Sequence, residues 1–376
     1  MIDLGRIRTE IDETDREILR LFEKRMTLSE EVALSKLESG KSVADVKREK
    51  EVLEGMSALA STEFNAVGVR EVFRQLIAIS KKRQYQLLVE NGKPLELNYI
   101  QKDSLEFPGE KVVFQGAEGA YTYAAMKEFF EKEMEFINVP TWKEAMELVA
   151  SGERDWGVFP IENSTAGSVS DVYDLMTEYP IYIVGEQVLP ISHTLMKVPG
   201  AKTEEITTLY SHPQALAQCR KFLEREYPHW QQREMLNTAL AAKKIAEDRD
   251  PSQAAIASKY AAELYGLEIF QDGGMTREVN STRFVIVSNK MEFRKDAKHI
   301  SICVEIPHES GSLYNILSHF IFNDLNMFRI KSRPIEDKPW EYRFFIDFEG
   351  NLSEAGVQNA LLGIATEANV RLLGNY

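Results

Sequence analysis

The feature that most constrains this chain is the spacing of residues along its first helix-forming stretch. Leu4, Ile7, Ile11, Thr14, Ile18, Leu21, Arg25, Leu28 and Val32 recur at steps of three and four, the seam of a helix packed against other helices. The helix runs to about Glu38, where "SGKS" (39–42) breaks it. A second helix is predicted over Val46–Ala60, and Thr62 can cap a third whose inner face holds Phe64, Val67, Phe73, Leu76, Ile77, Leu87 and Leu88. At about 1.5 Å per residue the first helix is about 50 Å long and outruns its partners. Two interleaved copies bury such a seam better than one.

The seam also carries charge. Arg25 is a member, and Lys36 lies eleven residues on, only about 20° around the helix. Ser80 and Gln84 fall on the inner stripe of the third helix. Buried charge without a partner is costly, so a counter-charge must exist. "ADVKREKE" offers Asp45, Arg48 and Glu49; Glu49 can neutralise one cation, but not Arg25, Lys36 and Arg48 together. A small dianion can. Residues 1–92 contain no Cys or His, which favours chemistry by positioning and charge over covalent catalysis.

The texture then changes. Residues 93–110 lose periodicity and read as a linker. Over 111–290 short apolar runs alternate with helices: "KVVFQG", "WGVFPI", "IYIVGEQVL", "ITTLYS", "AAIAS" and "TRFVIVS", an α/β pattern. Residues 298–376 read as βαββαβ, a small ferredoxin-like α+β unit. The 376 residues, 44% apolar and 28% charged, therefore suit a multidomain globular protein. No run approaches the ~18 apolar residues of a membrane span, and the charged start has no signal core. A net charge of −14 without a basic stripe disfavours nucleic acid. Cys219 and Cys303 have no CxxC spacing and the six histidines no ligand spacing, so we expect a cytoplasmic location, no metal and no cofactor. In the α/β region several strands lead into helix starts, at Gly116–Gly119, Glu162–Thr165, Ser211–Pro213 and Asn237–Thr238. Free N–H groups there can bind carboxylates without Lys or Arg.

Residues 4–90 resemble the all-helical chorismate mutases, which rearrange chorismate to prephenate. The resemblance assigns Arg25 and Arg48 to substrate binding and Lys36 and Gln84 to the ether oxygen. It gives Asp45, Glu49 and Ser80 hydroxyl and ring contacts, and Arg8 enters from the other protomer of an intertwined dimer. Residues 111–290 resemble prephenate dehydratases through three motifs: Glu162-Asn163-Ser164, Ser211-His212-Pro213-Gln214 and Thr282-Arg283-Phe284. That family folds as two α/β subdomains around a cleft, similar to periplasmic binding proteins. It removes carboxylate and hydroxyl from prephenate to give phenylpyruvate. The resemblance implies that Asn163, Ser164, Ser211, Gln218 and Phe284 hold the substrate and Arg283 a carboxylate. Thr282 donates to or positions the departing hydroxyl, with Glu162 an alternative proton source. The last unit resembles ACT domains, with Gly311-Ser312-Leu313-Tyr314 and Lys331-Ser332-Arg333-Pro334 at their two signature positions. Lys331 reverses a charge and Tyr314 enlarges a small site relative to the family pattern. These resemblances imply a bifunctional enzyme of phenylalanine biosynthesis, a homodimer or higher even oligomer, with L-phenylalanine as effector. A reading of another class is a non-catalytic sensor with the same three parts.

Overall fold

The computed structural model describes residues 3–93, 95, 97–104, 111–130, 134–275, 280–309, 311–335, 338 and 340–376. The opening seam forms one helix, α1 (Leu4–Ser39), whose first N–H groups are capped by the Asp3 carboxylate and which ends on Gly40 at φ 67°. α2 (Val46–Ala58) is capped by Asp45 and α3 (Glu63–Glu90) by Thr62. Within one chain the seam does not become a core. Leu4 and Ile18 are 63% and 60% exposed, and Phe64 and Val67 on α3 are 86% and 69% exposed. The physical reason is length: 13 residues of α2 cannot cover helices of 36 and 28 residues.

The middle region contains β1 (Ile100–Lys102), β2 (Lys111–Gln115), α4 (Tyr121–Phe130), β3 (Glu135–Val139), α5 (Trp142–Ala150), β4 (Trp156–Asn163), β5 (Gly167–Ser168), α6 (Ser170–Glu178) and β6 (Tyr182–Pro190). It continues through β7 (Thr194–Lys197), β8 (Thr208–Ser211), α7 (Pro213–Glu226), β9 (Gln231–Glu234), α8 (Thr238–Asp248), β10 (Gln253–Ala257), α9 (Lys259–Tyr265), β11 (Glu268–Asp272), β12 (Ser281–Ser288) and β13 (Glu292–Arg294). These form two sheets, one ordered β6-β12-β4-β2-β3 and the other β11-β7-β10-β8-β9. In the first sheet Val112 and Phe114 pack with α4 residues Ala124, Ala125 and Met126, while Val113 on the opposite pleat is equally buried. Burial on both faces is why these strands read as continuous apolar runs. The chain passes between the sheets twice, after β6 and before β12.

The segment taken as a linker is partly structured: β1 pairs in parallel with β13. "FPGE" (107–110) of that segment lies outside the described residues. The last part contains β14 (His299–Glu305), α10 (Ser312–Phe322), β15 (Met327–Pro334), β16 (Tyr342–Glu349), α11 (Ala355–Glu367) and β17 (Asn369–Asn375), with neighbouring strands in the order β15-β16-β14-β17. Met1–Asn98 with Lys295–Leu372 form one compact unit, and Tyr99–Arg294 with Leu373–Tyr376 form a second. Within the first unit α3 packs against both α10 and α11.

Candidate functional site

Two places gather the residues singled out above. In the helical segment Arg25 reaches from α1 to α3, where Nη1 donates to the Leu76 carbonyl at 2.7 Å and to the Ser80 hydroxyl. Burial lowers the Arg25 pKa, yet a guanidinium stays charged. Lys36 Nζ donates to the Val43 carbonyl at 2.7 Å. Among the described residues neither cation pairs with a carboxylate; both spend their donors on neutral oxygens. Gln84, 7% exposed, keeps Oε1 buried with no hydrogen-bond partner. The two cations, resting on neutral oxygens, suit an anionic, oxygen-bearing ligand, whereas Gln84 Oε1 is an acceptor left without a donor.

Other residues expected there do not converge in one chain. Arg8 is exposed on α1, about 25 Å along the helix axis from Arg25 at 1.5 Å per residue. Asp45 spends its carboxylate on the Arg48 N–H as the α2 cap. The Arg48 side chain is 69% exposed, with Nη1 3.5 Å from Glu51. Glu49 Oε2 lies 3.3 Å from Lys81 Nζ, a cation that the apolar stripe of α3 does not mark.

The second place is a cavity of about 820 Å³ in the middle unit, lined from both sheets. Among the described residues no Asp, Glu, Lys or Arg lines it; its walls include the first residues of α4, α7 and α8. At its floor Asn163 Nδ2 donates to Asn280 Oδ1 at 2.7 Å and to Thr282 Oγ1 at 2.8 Å. Asn163 Oδ1 in turn accepts from the Thr165 and Ala166 N–H groups and the Thr165 hydroxyl, which fixes the amide orientation. Thr282, 9% exposed, therefore accepts from Asn163 and keeps its own proton for the cavity. On the wall, His193 Nε2 lies 2.8 Å from Gln218 Oε1 and Nδ1 3.2 Å from the Tyr121 hydroxyl. An amide oxygen accepts, so Nε2 carries the hydrogen. Burial lowers the His193 pKa despite the Gln218 bond, which keeps the ring neutral, and burial pushes the Tyr121 hydroxyl up.

Four of the expected residues, Arg283, Glu162, Ser211 and Ser164, do not line this cavity. Thr282 pairs across the strands with Asn163, and Arg283 with Glu162; because successive side chains alternate, the second pair lies on the face away from the cavity. Arg283 there donates to Glu186 at 2.6 Å and to the Tyr376 hydroxyl at 2.5 Å. Glu162 is not part of the cavity lining either. Ser211 is fully buried with its hydroxyl on the Ile256 carbonyl, and His212 caps α7. Ser164 accepts from the Ser281 N–H at 2.9 Å and braces β12 from outside the cavity. Phe284 and Gln218 do line it. Sequence reasoning missed Asn280, His193 and Tyr121; Asn280, two residues before Thr282, was available from strand alternation alone.

In the last part Gly311, at φ 88°, caps α10, and Lys331, Ser332, Arg333 and Pro334 lie on β15. Ser312 and Leu313 begin α10 and are half-buried. The Tyr314 hydroxyl donates to Gln75 of α3 at 3.3 Å. Both cysteines are free and buried, and burial pushes the Cys219 thiol up to about 12, out of the reactive range. Among the described residues no His, Cys, Asp and Glu grouping could hold a metal ion, and no helix is long and apolar enough to cross a membrane.

A helical bundle whose half-buried Arg25 and Lys36 rest on neutral oxygens, and a two-sheet cleft lined, among the described residues, by no charged side chain, suit small anionic ligands at two separate places. The chorismate mutase type II family model matches residues 7–85 and the prephenate dehydratase model residues 112–292. The chain is 33% identical to the bifunctional chorismate mutase/prephenate dehydratase of Escherichia coli K12, over 98% of this chain and 95% of that one. It is 32% identical to arogenate dehydratase/prephenate dehydratase 6 of Arabidopsis thaliana, over 83% and 80%. Its fold matches the prephenate dehydratase of Arthrobacter aurescens, solved in complex with L-Phe, at TM-score 0.64 and 29% identity, covering 71% of this chain and 89% of that one. The chain belongs to the family of bifunctional chorismate mutase/prephenate dehydratases.

Proposed function

We infer that the chain rearranges chorismate to prephenate in its helical segment and converts prephenate to phenylpyruvate, carbon dioxide and water in the cleft, as an enzyme of phenylalanine biosynthesis. The observation that carries the reading is the pair Arg25 and Lys36, held on neutral oxygens with no carboxylate partner among the described residues. A dianion entering there exchanges those weak acceptors for its carboxylates. Arg25 binds one carboxylate, with Ser80 alongside, while Lys36 and Gln84 meet the ether oxygen on which charge grows as the C–O bond breaks. Asp45, Arg48 and Glu49 close over the ligand from α2. Arg8 must come from a second copy, and the exposed seam of Leu4, Ile11, Ile18 and Leu28 supports a dimer that supplies it.

In the cleft, the dehydratase step needs help for a departing hydroxide, since aromatisation drives the rest. Thr282 is the donor best aligned for that role, because Asn163 occupies its acceptor side. The N-terminal N–H groups of α4, α7 and α8 supply charge-free carboxylate binding. Neutral His193 spends its Nε2 hydrogen on Gln218 and its Nδ1 on Tyr121, so it shapes the wall rather than donating to a ligand. We assign the last 79 residues to a ferredoxin-like ACT module, supported by its βαββαβ order and by the sheet order β15-β16-β14-β17. L-Phenylalanine is its proposed effector, near Gly311–Tyr314 and Lys331–Pro334, and feedback inhibition its proposed role. Two buried free thiols suit a reducing cytoplasm. The test is separation of activities: Lys36→Met should abolish rearrangement and spare dehydration, and Thr282→Val the reverse. Loss of both activities from either change overturns the two-site reading.

A further inference from the structure

α3 serves two neighbours at once. Ser80 and Gln84 belong to the proposed mutase site, whereas the residues beside them, Lys81, Lys82 and Tyr85, face α10 and α11. Lys82 Nζ donates to the Ser318 hydroxyl at 2.7 Å, and the Tyr85 hydroxyl lies 2.6 Å from Thr366 Oγ1. Lys81 stands between two carboxylates: its Nζ is 3.0 Å from Glu367 Oε1 on α11 and 3.3 Å from Glu49 Oε2 on α2. The side chains of Lys81, Glu367 and Glu49 are only 15%, 18% and 27% exposed. The other Glu367 oxygen is 3.6 Å from His319 Nε2. This chain of contacts walls a cavity of about 50 Å³, so little solvent is available to screen it.

Geometry decides what Lys81 can do. A flexible ammonium stem with one carboxylate partner would wander; with two, on elements that do not share a backbone, it is fixed at both ends. Its fixed position in turn holds Glu49, whose helix is only 13 residues long and whose neighbours Arg48 and Lys50 point to solvent. We propose that Lys81 is a positioning residue for the mutase reaction, setting the Glu49 carboxylate for substrate, and that Glu367 of the C-terminal module sets Lys81. This rests on the reading of Glu49 as a chorismate contact. It makes mutase efficiency depend on a carboxylate outside the helical segment, and α3 the element through which the effector module reaches the mutase site. The Tyr314–Gln75 bond attaches one of the proposed effector motifs to the same helix.

The test uses the full-length chain, with both activities measured on each preparation. Glu49→Gln, Lys81→Met, Lys81→Arg, Glu367→Gln and the double variant K81M/E367Q are compared for mutase kcat and KM on chorismate. Dehydratase turnover of prephenate in the same sample reports folding. Lys81→Met is expected to raise KM about tenfold or more with a smaller change in kcat, and Glu367→Gln to raise it several-fold, with Lys81→Arg close to the parent. The double variant should be no worse than Lys81→Met alone, because Glu367 acts only through Lys81. If Glu49→Gln impairs the mutase while Lys81→Met and Glu367→Gln leave KM unchanged, the positioning role is overturned and the site reading stands. If Glu49→Gln is itself harmless, the site reading fails and the positioning role fails with it. Additive losses in the double variant would also overturn the relay.

Discussion

Replacing Thr282 by valine keeps the branched shape and removes one hydroxyl, and the structure separates the two consequences. The first is chemical. Thr282 Oγ1 accepts from Asn163 at 2.8 Å, so its proton is the part that meets substrate. Removing a preorganised donor from the oxygen that gains charge typically costs about 10²–10³ in kcat, or ~3–4 kcal/mol. The second is structural. One Asn163 N–H loses its acceptor, a buried-polar penalty of ~1–3 kcal/mol. Asn163 nevertheless keeps Asn280 at 2.7 Å and the backbone N–H groups of Thr165 and Ala166 at 3.1 and 2.9 Å, so the strand pair stays in register. The expected result is therefore a folded enzyme whose dehydratase kcat falls at least about a hundredfold with KM little changed. Mutase activity in the same sample should be untouched. Thr282→Ser should recover most of the loss, and Glu162→Gln, on the opposite face of the sheet, should stay within about threefold of the parent. Steady-state kinetics with prephenate decide the matter. A Thr282→Val enzyme within threefold of the parent, or one crippled less than Glu162→Gln, would refute the assignment.

Three further outcomes follow from the structure. Burial alone would raise the Glu367 carboxyl, but the neighbouring His319 ring and the Lys81 ammonium outweigh it and hold the group at about 2 against an ordinary 4.5. A depressed carboxyl stabilises the fold above its unfolded value and loses that contribution as pH falls. The stability gap between parent and Glu367→Gln should therefore be at most ~3 kcal/mol above pH 4.5 and close by about pH 2; a gap constant across acid unfolding curves would contradict this. Gly363→Ala on α11 would put a methyl carbon 2.3 Å from the His319 ring, an overpacking penalty of ~1–3 kcal/mol, seen as a lowered Tm by calorimetry; an unchanged Tm would show that the ring moves freely. Ile18→Glu places charge on a seam residue that is 60% exposed in one chain, and light scattering should find a monomer that has lost mutase activity because Arg8 is no longer supplied in trans. A monomer with full mutase activity would refute the shared site.

Much of this architecture was legible because the periodicities were strong. The cap at Thr62 and the apolar run of β12 are local signals, and local hydrogen bonding delivers them. Edge strands were less legible: β9 is Gln231–Glu234, polar and exposed along its whole length, so no burial pattern exists to read. In the cleft, motif membership alone misled where backbone alternation would have corrected it. Thr282 and Arg283 are adjacent in sequence, yet they occupy opposite faces of one strand. Ser211 satisfies a buried carbonyl and so has no hydroxyl to offer a ligand. His193 and Lys81 gave no signal at all, since their partners Gln218 and Glu367 lie 25 and 286 positions away and are brought near only by the fold.

The measurement that tests the central claim most directly is a time course of the purified full-length chain with chorismate, following chorismate, prephenate and phenylpyruvate together. Two sites in one chain predict that chorismate falls, prephenate appears first, and phenylpyruvate rises at prephenate's expense without added cofactor or metal. Chorismate returned unchanged by a well-folded sample, or prephenate that accumulates and is never consumed, would contradict it.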